Sequence, residues 1–139
     1  VTDNQTLKLK DKEYAPKDYS GMGRVYLRKH YVNGVNTLTQ HMMRKPNTIY
    51  IIQYDYCLAG QTIEVPENCV LEFQGGSLRN GTIVLDATKI LPNGCIISDY
   101  ITAEIQGTYA KGQCLYDTTL NKPKWWNGSN WVDATGATV

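Results

Sequence analysis

Turn-forming residues interrupt the chain at intervals of roughly six to ten residues from Gly60 onward, and this spacing limits what it can fold into. The breaks fall at Gly60, Pro66, Gly75-Gly76, Asn80-Gly81, Asp86 and Pro92-Asn93-Gly94. The segments between them read as strands of only three to five residues, at 62–65, 69–73, 82–85, 89–91, 95–97 and 101–105. Hairpins normally use strands of about five or six residues joined by two-residue turns.

Strands this short, each starting at a small polar corner, favour a parallel β-solenoid. Two or three coils fit between residues 47 and 107. The side chains that we expect inside the coils are Val65, Val70, Phe73, Leu78, Ile83, Leu85, Ile90, Ile97 and Ile105. A small antiparallel β-sandwich has the same density of turns and remains the alternative fold. Either way, the fold class is mainly β.

Two segments before residue 60 have other patterns. Residues 48–56 (TIYIIQYDY) carry apolar side chains on both faces, which predicts a strand covered on both sides. Residues 37–40 (TLTQ) match the capping box that starts helices. We therefore expect a helix from about residue 38 to 44, ending before Pro46 and covering the N-terminal end of the solenoid. Strands are also predicted at 6–10 and 24–32.

Composition excludes several classes of protein. Hydrophobic residues make up 42% of the 139, which excludes a wholly disordered chain. The net charge of +1 gives no global signal for nucleic acid, and no apolar run is long enough to span a membrane. However, residues 1–45 hold nine Lys or Arg against four Asp or Glu. The basic residues Lys8, Lys10, Arg24 and Arg28 are candidates for docking on an acidic partner surface.

The sequence indicates neither an enzyme nor a cofactor or metal. The candidate carboxylates Asp55, Glu64, Glu72, Asp86 and Asp99 are isolated, although Glu64 and Glu72 could approach each other across coils. The two histidines, His30 and His41, lack the partners of a catalytic triad. The cysteines at 57, 69, 95 and 114 form no CxxC pair. They are predicted to be buried and unpaired, as suits a reducing cytoplasm.

All three tryptophans lie in one short stretch near the end of the chain, WWNGSNW. It reads as a hairpin, with strands at 114–116, 124–126 and 131–132. Adjacent strand residues point to opposite faces, so only one of Trp125 and Trp126 can pair with Trp131. The hairpin cannot bury three indoles alone, so it needs a second surface, which could be a neighbouring subunit, the open end of the solenoid or a sugar. The residues predicted to contact another chain or a glycan are Trp125, Trp126, Trp131 and Tyr116. Short coils with open ends also predict a homo-oligomer, typically a trimer.

Three segments resemble one family. The tail, YDTTLNKPKWWNGSNWVDATGATV, looks like the terminal motif of tail fibre and tail-associated proteins of Bacteroides-type gut bacteriophages and prophages. The stretch NTIYIIQYDYCLAGQTIEVPENCVLEFQGGSLRNGTI resembles the opening coils of pectate-lyase-like right-handed β-helices in those proteins. The segment YAPKDYSGMGRVYLRK resembles the part that precedes these coils.

The resemblance implies a structural virion protein, a short trimeric tail fibre or tail connector that helps attachment to the bacterial host. Its partners would be other phage tail proteins and a host surface glycan, with no nucleic acid and no membrane insertion. It would assemble in the bacterial cytoplasm and reside in the virion. The expected domains are an attachment segment (1–36), a helix-capped solenoid (37–107) and a Trp-rich tip (108–139). The alternative function is a carbohydrate-binding or polysaccharide-cleaving module.

Overall fold

The computed structural model describes residues 22–91, 95–96, 100–117 and 119–139. The strand predicted at 6–10, the docking candidates Lys8 and Lys10, and the side chains of Ile97 and Asp99 lie outside these residues. The described chain forms a 3₁₀ turn at Gln40–Met42 and the strands β1 (Gly23–Tyr26), β2 (Tyr31–Val32), β3 (Val35–Asn36), β4 (Thr48–Ile52), β5 (Asp55–Cys57), β6 (Thr62–Glu64), β7 (Val70–Phe73), β8 (Ser77–Arg79), β9 (Thr82–Leu91), β10 (Cys95–Ile96), β11 (Glu104–Tyr109), β12 (Cys114–Asp117), β13 (Lys122–Trp126) and β14 (Trp131–Val132).

The strands between β4 and β11 pair in parallel, each with the strand one coil further along. Ile49 lies opposite Val70, and Asp55 lies opposite Ser77, so one coil takes 21 or 22 residues at these positions. The fold is therefore a β-solenoid of about four turns, and the sandwich alternative, which needs antiparallel neighbours, is wrong. The coil that precedes residue 47 starts at β1, which pairs in parallel with β4.

The coils have three faces. β1, β4, β7 and the end of β9 form the first face, and β5 and β8 form the second. β6, the first half of β9, and β11 form the third. β9 crosses from the third face to the first at Ala87, whose φ of 47° turns the strand at the corner. A single ten-residue strand thus serves two faces because one of its residues adopts a left-handed conformation.

The core consists of side chains that stack from coil to coil. In parallel pairing, residues opposite each other point the same way, so an apolar residue in one coil meets an apolar residue in the next. Burying each such side chain stabilises the fold by about 1.5–3 kcal/mol. The three ladders are Tyr50, Leu71 and Ile90 on the first face, Tyr56, Leu78 and Ile101 on the second, and Ile63, Ile83 and Ile105 on the third.

Most of the expected inward residues are confirmed. Val65, Phe73, Leu78, Ile83, Leu85 and Ile90 are buried in this core, and Ile105 packs against it. The prediction that Val70 points into the coil is wrong, because alternation along β7 points Leu71 inward and Val70 outward. Val70 instead joins a separate buried cluster with Ile49 and Ile51. All five residues of β4 are buried, which confirms that this strand is covered on both sides.

The predicted capping helix does not form. Thr37 continues the second face by bridging to Cys57, and the Leu38 N–H donates to the Cys57 carbonyl at 3.0 Å. Gln40, the expected capping-box partner, bonds the backbone N–H and C=O of Glu64. The segment therefore contributes a coil with one 3₁₀ turn, because pairing with β5 satisfies the backbone that a helix would have satisfied internally. Leu38 and Met43 are fully buried in the core.

The C-terminal strands form a separate sheet. β12 pairs in parallel with β10 and antiparallel with β13, which pairs antiparallel with β14. The three strands predicted at 114–116, 124–126 and 131–132 are thereby confirmed, with β12 and β13 slightly longer than expected. Helices of the described chain amount to the single 3₁₀ turn, and none has the length or hydrophobicity to cross a membrane.

Gly107 is the glycine at which close approach of two strands matters most. Its φ is +89°, and a Cβ there would clash with the backbone carbonyl oxygen of Leu85 in the preceding coil. Gly112 also has a φ of +89°, but a Cβ there meets nothing within 4 Å. Substitutions at Gly107 and Gly112 therefore share the same backbone strain, and only the one at Gly107 adds a steric clash.

We expect Gly112→Ala to lower the free energy of unfolding by about 1–2 kcal/mol, the cost of the left-handed conformation alone. We expect Gly107→Ala to lower it by about 3 kcal/mol or more, because the clash with Leu85 adds to that strain. Urea unfolding followed by far-UV circular dichroism measures both values. Equal losses for the two variants would contradict the close packing of β11 on β9.

Candidate functional site

The tryptophans divide between the two faces of the C-terminal sheet. Trp126 lies opposite Trp131, whereas Trp125 lies opposite Val132 on one side and Cys114 on the other. The rings of Trp126 and Trp131 meet edge to face, with centroids 5.4 Å apart. This confirms that adjacent tryptophans point to opposite faces and that one of them pairs with Trp131.

Tyr109 joins the sheet to the solenoid. Its ring centroid lies 4.7 Å from that of Trp131 and 5.9 Å from that of Trp126. Tyr109 ends β11, where the register with β9 shifts by one residue. Burial within this cluster raises the pKa of its hydroxyl. The three rings thus attach the terminal sheet to the last coil, so the solenoid itself supplies part of the second surface that the indoles require.

The sequence did not reveal Tyr109 as part of this cluster. It lies within residues 107–112 (GTYAKG), whose sequence is typical of a linker, and nothing in its local pattern marks it as a partner of residues 17 and 22 positions further on. The available signal was composition. A hairpin with three indoles needs another aromatic or apolar surface, and Tyr109 is the tyrosine that precedes the first predicted strand of the C-terminal sheet, at 114–116.

Two lysine–aspartate pairs flank the Trp126 face. Lys124 lies over the Trp131 ring, 5.0 Å from its centroid, and donates to Asp117 at 2.9 Å. Lys122 lies 3.8 Å from Asp133. Both aspartates also accept backbone N–H bonds that close turns, Asp117 from Leu120 and Asp133 from residues 135 and 137. The cations therefore neutralise the carboxylates that shape the two ends of the sheet.

The opposite face carries Trp125 with the other predicted contact residue, Tyr116. Tyr116 lies opposite Pro123, and its hydroxyl donates to Asn121 at 2.7 Å. Trp125, Tyr116 and Val132 are all half-buried. Together with Pro123 they form what we call the Trp125 face, a partly exposed aromatic and apolar surface.

The described basic candidates lie on the first coil. Arg24 on β1 pairs with Glu72 at 3.5 Å and lies 6.0 Å from the Tyr26 ring. Hydrogen bonding with Tyr26, and after it the charge of Glu72, raises the pKa of Arg24. Arg28 is exposed, and its backbone carbonyl accepts a hydrogen bond from Tyr56. The structure therefore places both side chains at the surface, one already paired within the chain.

The two carboxylates that were expected to approach each other, Glu64 and Glu72, do not share a face of the solenoid. Glu64 is on β6 and Glu72 on β7, so they lie on different faces of the solenoid. Glu72 is engaged by Arg24, and Asp55 accepts the Ser77 hydroxyl at 2.7 Å. Among the described residues, no group of three or more His, Cys, Asp or Glu could hold a metal ion. Comparison with protein-family profiles, curated proteins and solved structures gives no match.

The cysteines differ from the prediction. Cys57 and Cys69 are buried free thiols, as expected. Cys114 is disulfide-bonded, so the prediction that all four cysteines are unpaired is wrong. Spacing along the sequence could not show this, because the pairing of β10 with β12 decides which residues meet. A hydrogen bond from Asn80 lowers the pKa of Cys57, whereas burial raises the pKa of Cys69.

Acid should loosen the C-terminal sheet. The pKa of Asp117 is held below its ordinary 3.8 by the Leu120 N–H and then by Lys124, and that of Asp133 chiefly by the Thr135 hydroxyl. A lowered folded-state pKa gives stability that is complete above 3.8 and is lost as the pH falls through the folded-state value. Because all three tryptophans lie in this sheet, their fluorescence reports the loss.

We therefore expect tryptophan emission to shift only below about pH 3.8. The variant that combines Asp117→Asn with Asp133→Asn should show a weaker dependence on pH, because asparagine keeps the turn hydrogen bonds and has no charge to lose. Emission that stays constant from about pH 7 to about pH 2 would contradict the role of these carboxylates.

Proposed function

We propose that the protein is a structural component of a bacteriophage virion, a short homotrimeric tail fibre or tail connector that contributes to host attachment. The observation that carries this proposal is the Trp125 face. It follows the last described coil and is an aromatic surface that the described residues leave partly exposed. The resemblance of the terminal segment to phage tail motifs supports the same role.

The chemistry of the Trp125 face favours a protein partner. Tryptophan and tyrosine are the residues most enriched among interface anchors, because they bury a large area at a small loss of side-chain entropy. Pro123 and Val132 extend the face with apolar surface beside these rings. Three copies related by a threefold axis would bring their Trp125 faces together and close the assembly without a free end.

The solenoid has its own reason to associate. Within the described residues, β1 pairs with β4 alone and β11 pairs with β9 alone. Exposed strand edges invite further pairing, and proteins usually cover them. A neighbouring chain or another tail protein would provide such a cover, and the exposed Arg28 of the first coil would attract an acidic surface there.

The virion is the proposed location, after assembly in the bacterial cytoplasm. The disulfide at Cys114 suits a particle that is released into an oxidising environment, where such bonds persist. A role without glycoside cleavage is supported by the placement of Glu64 and Glu72 on different faces.

The alternative is a carbohydrate module. The placement of Glu64 and Glu72 on different faces favours binding over cleavage, since glycoside hydrolysis needs two carboxyl groups that flank one glycosidic bond. In that case the Trp125 face would stack on a sugar ring of the host surface rather than on a neighbouring chain. A substitution at Trp125 would weaken assembly if the partner is a neighbouring chain, and would weaken glycan binding if the partner is a sugar.

We expect the native protein to have the mass of a trimer at micromolar concentration and Trp125→Ala to shift it towards the monomer. The loss should be about 2 kcal/mol per chain, as for a buried indole anchor. Native mass spectrometry and sedimentation velocity measure the shift. Leu120→Ala is the matched control, because Leu120 is an exposed apolar residue of the same hairpin, outside the Trp125 face.

A monomeric wild-type protein, or a Trp125→Ala trimer as stable as the wild type, would contradict the assembly role. Host-cell adsorption measured on the same variants separates the alternatives. Adsorption lost with the trimer intact would favour the glycan role of Trp125, and adsorption unchanged in a monomer would exclude a need for assembly in attachment.

A further inference from the structure

A second surface, separate from the terminal sheet, lies at the corner between the first and second faces. The hairpin of β2 and β3 lies beside this corner and borders an open, shallow cleft of about 320 Å³. That volume lies within the range of small-molecule sites, about 300–1,000 Å³. The residues that line it are Lys29, Tyr31, Asn36, Gln53, Tyr54, Asp55 and Gly75.

Hydrogen bonds hold the walls of the cleft in place. Asn36 donates to the backbone carbonyl of Asp55 at 3.0 Å and accepts from the His30 N–H at 2.8 Å, which fastens the hairpin to the corner. Ser77 donates to one oxygen of Asp55 at 2.7 Å and fixes that carboxylate. The site is thus pre-formed, and a ligand would not have to order it.

Several groups in the cleft remain available to a ligand. Tyr31 is 60% exposed and Tyr54 38% exposed, both large values for aromatic residues. The Lys29 ammonium lies 4.7 Å from the centroid of the Tyr54 ring, and within the described part of the chain no carboxylate is within ion-pair distance of it. The second oxygen of Asp55 has no hydrogen bond from a described residue.

The balance of these groups narrows the class of ligand. One lysine beside one aspartate gives no net charge, which does not favour a phosphate or another strong anion. The amide, carboxylate, hydroxyl and ammonium groups are too numerous for an apolar ligand. A ring with many hydroxyl groups and one apolar face matches both the aromatic and the polar side chains of the cleft. Its C–H face packs on an aromatic ring, and its hydroxyls bond the polar groups.

We propose that this cleft binds a pyranose ring of a carbohydrate. Tyr31 provides the stacking surface, and Lys29, Gln53 and the free oxygen of Asp55 bond the ring hydroxyls. Gly75 has open space where a side chain would begin, so the sugar can approach the backbone there. The site is independent of Trp125 and of trimer formation.

Saturation-transfer NMR on the full chain tests the proposal, with the methyl glycosides of glucose, galactose and N-acetylglucosamine and with glucuronic acid as probes. We expect transfer to at least one probe, binding about tenfold weaker in Tyr31→Ala, and binding unchanged in Tyr31→Phe, which keeps the ring. Tyr26→Ala is the control, because Tyr26 is 52% exposed but lies outside the cleft. Lys29→Met should weaken binding while the fold is kept.

Each outcome is decisive for this site. Transfer to none of the probes, or equal binding by the wild type and both the Tyr31→Ala and Lys29→Met variants, overturns the proposal. Should Tyr31→Ala fail to fold, the Lys29→Met and Tyr26→Ala pair decides it. Failure here leaves the attachment role intact if wild-type protein still adsorbs to host cells. Sugar binding without adsorption would leave the site intact and overturn the attachment role.

Discussion

The stacking of Tyr50, Leu71 and Ile90, with the two companion ladders, is the interaction on which the rest of the structure depends. Each side chain is buried mainly by its counterparts in the coils above and below, so no coil is stable without its neighbours. Parallel register follows, because a shift of one residue would turn the apolar side chains outward. Glycine at 107 and the left-handed Ala87 serve this requirement by letting the chain turn and pack closely at the corners.

The same constraint decides where function can lie. Inward positions are committed to the core, so contacts with other molecules fall to corners, outward positions and the ends of the solenoid. Two such places are built from aromatic residues. The terminal sheet is fixed to the last coil through Tyr109 and presents the Trp125 face, and the hairpin of β2 and β3 forms a cleft with Tyr54 and its neighbours. We propose a protein partner for the first surface and a sugar ring for the second.

The sequence predicted the strands and their inward side chains better than the contacts between distant parts of the chain. Turn spacing was enough to favour parallel coils, and alternation placed Leu78, Ile83 and Ile90 correctly, because both depend on local pattern. The capping box at 37–40 was misleading, since pairing of Thr37 with Cys57 outweighed a helix that only its own hydrogen bonds would have supported. The contacts of Tyr109 had only a compositional signal and the disulfide at Cys114 had none, because each depends on which distant strands become neighbours.

The parallel stacking of coils is the central claim, and backbone NOEs in a uniformly labelled sample test it most directly. The structure predicts interstrand NOEs of the parallel type between Tyr50 and Leu71 and between Leu71 and Ile90, repeated along the first face. Strong Hα–Hα contacts between neighbouring strands of residues 47–107, the signature of antiparallel pairing, would contradict the solenoid and with it both proposed surfaces.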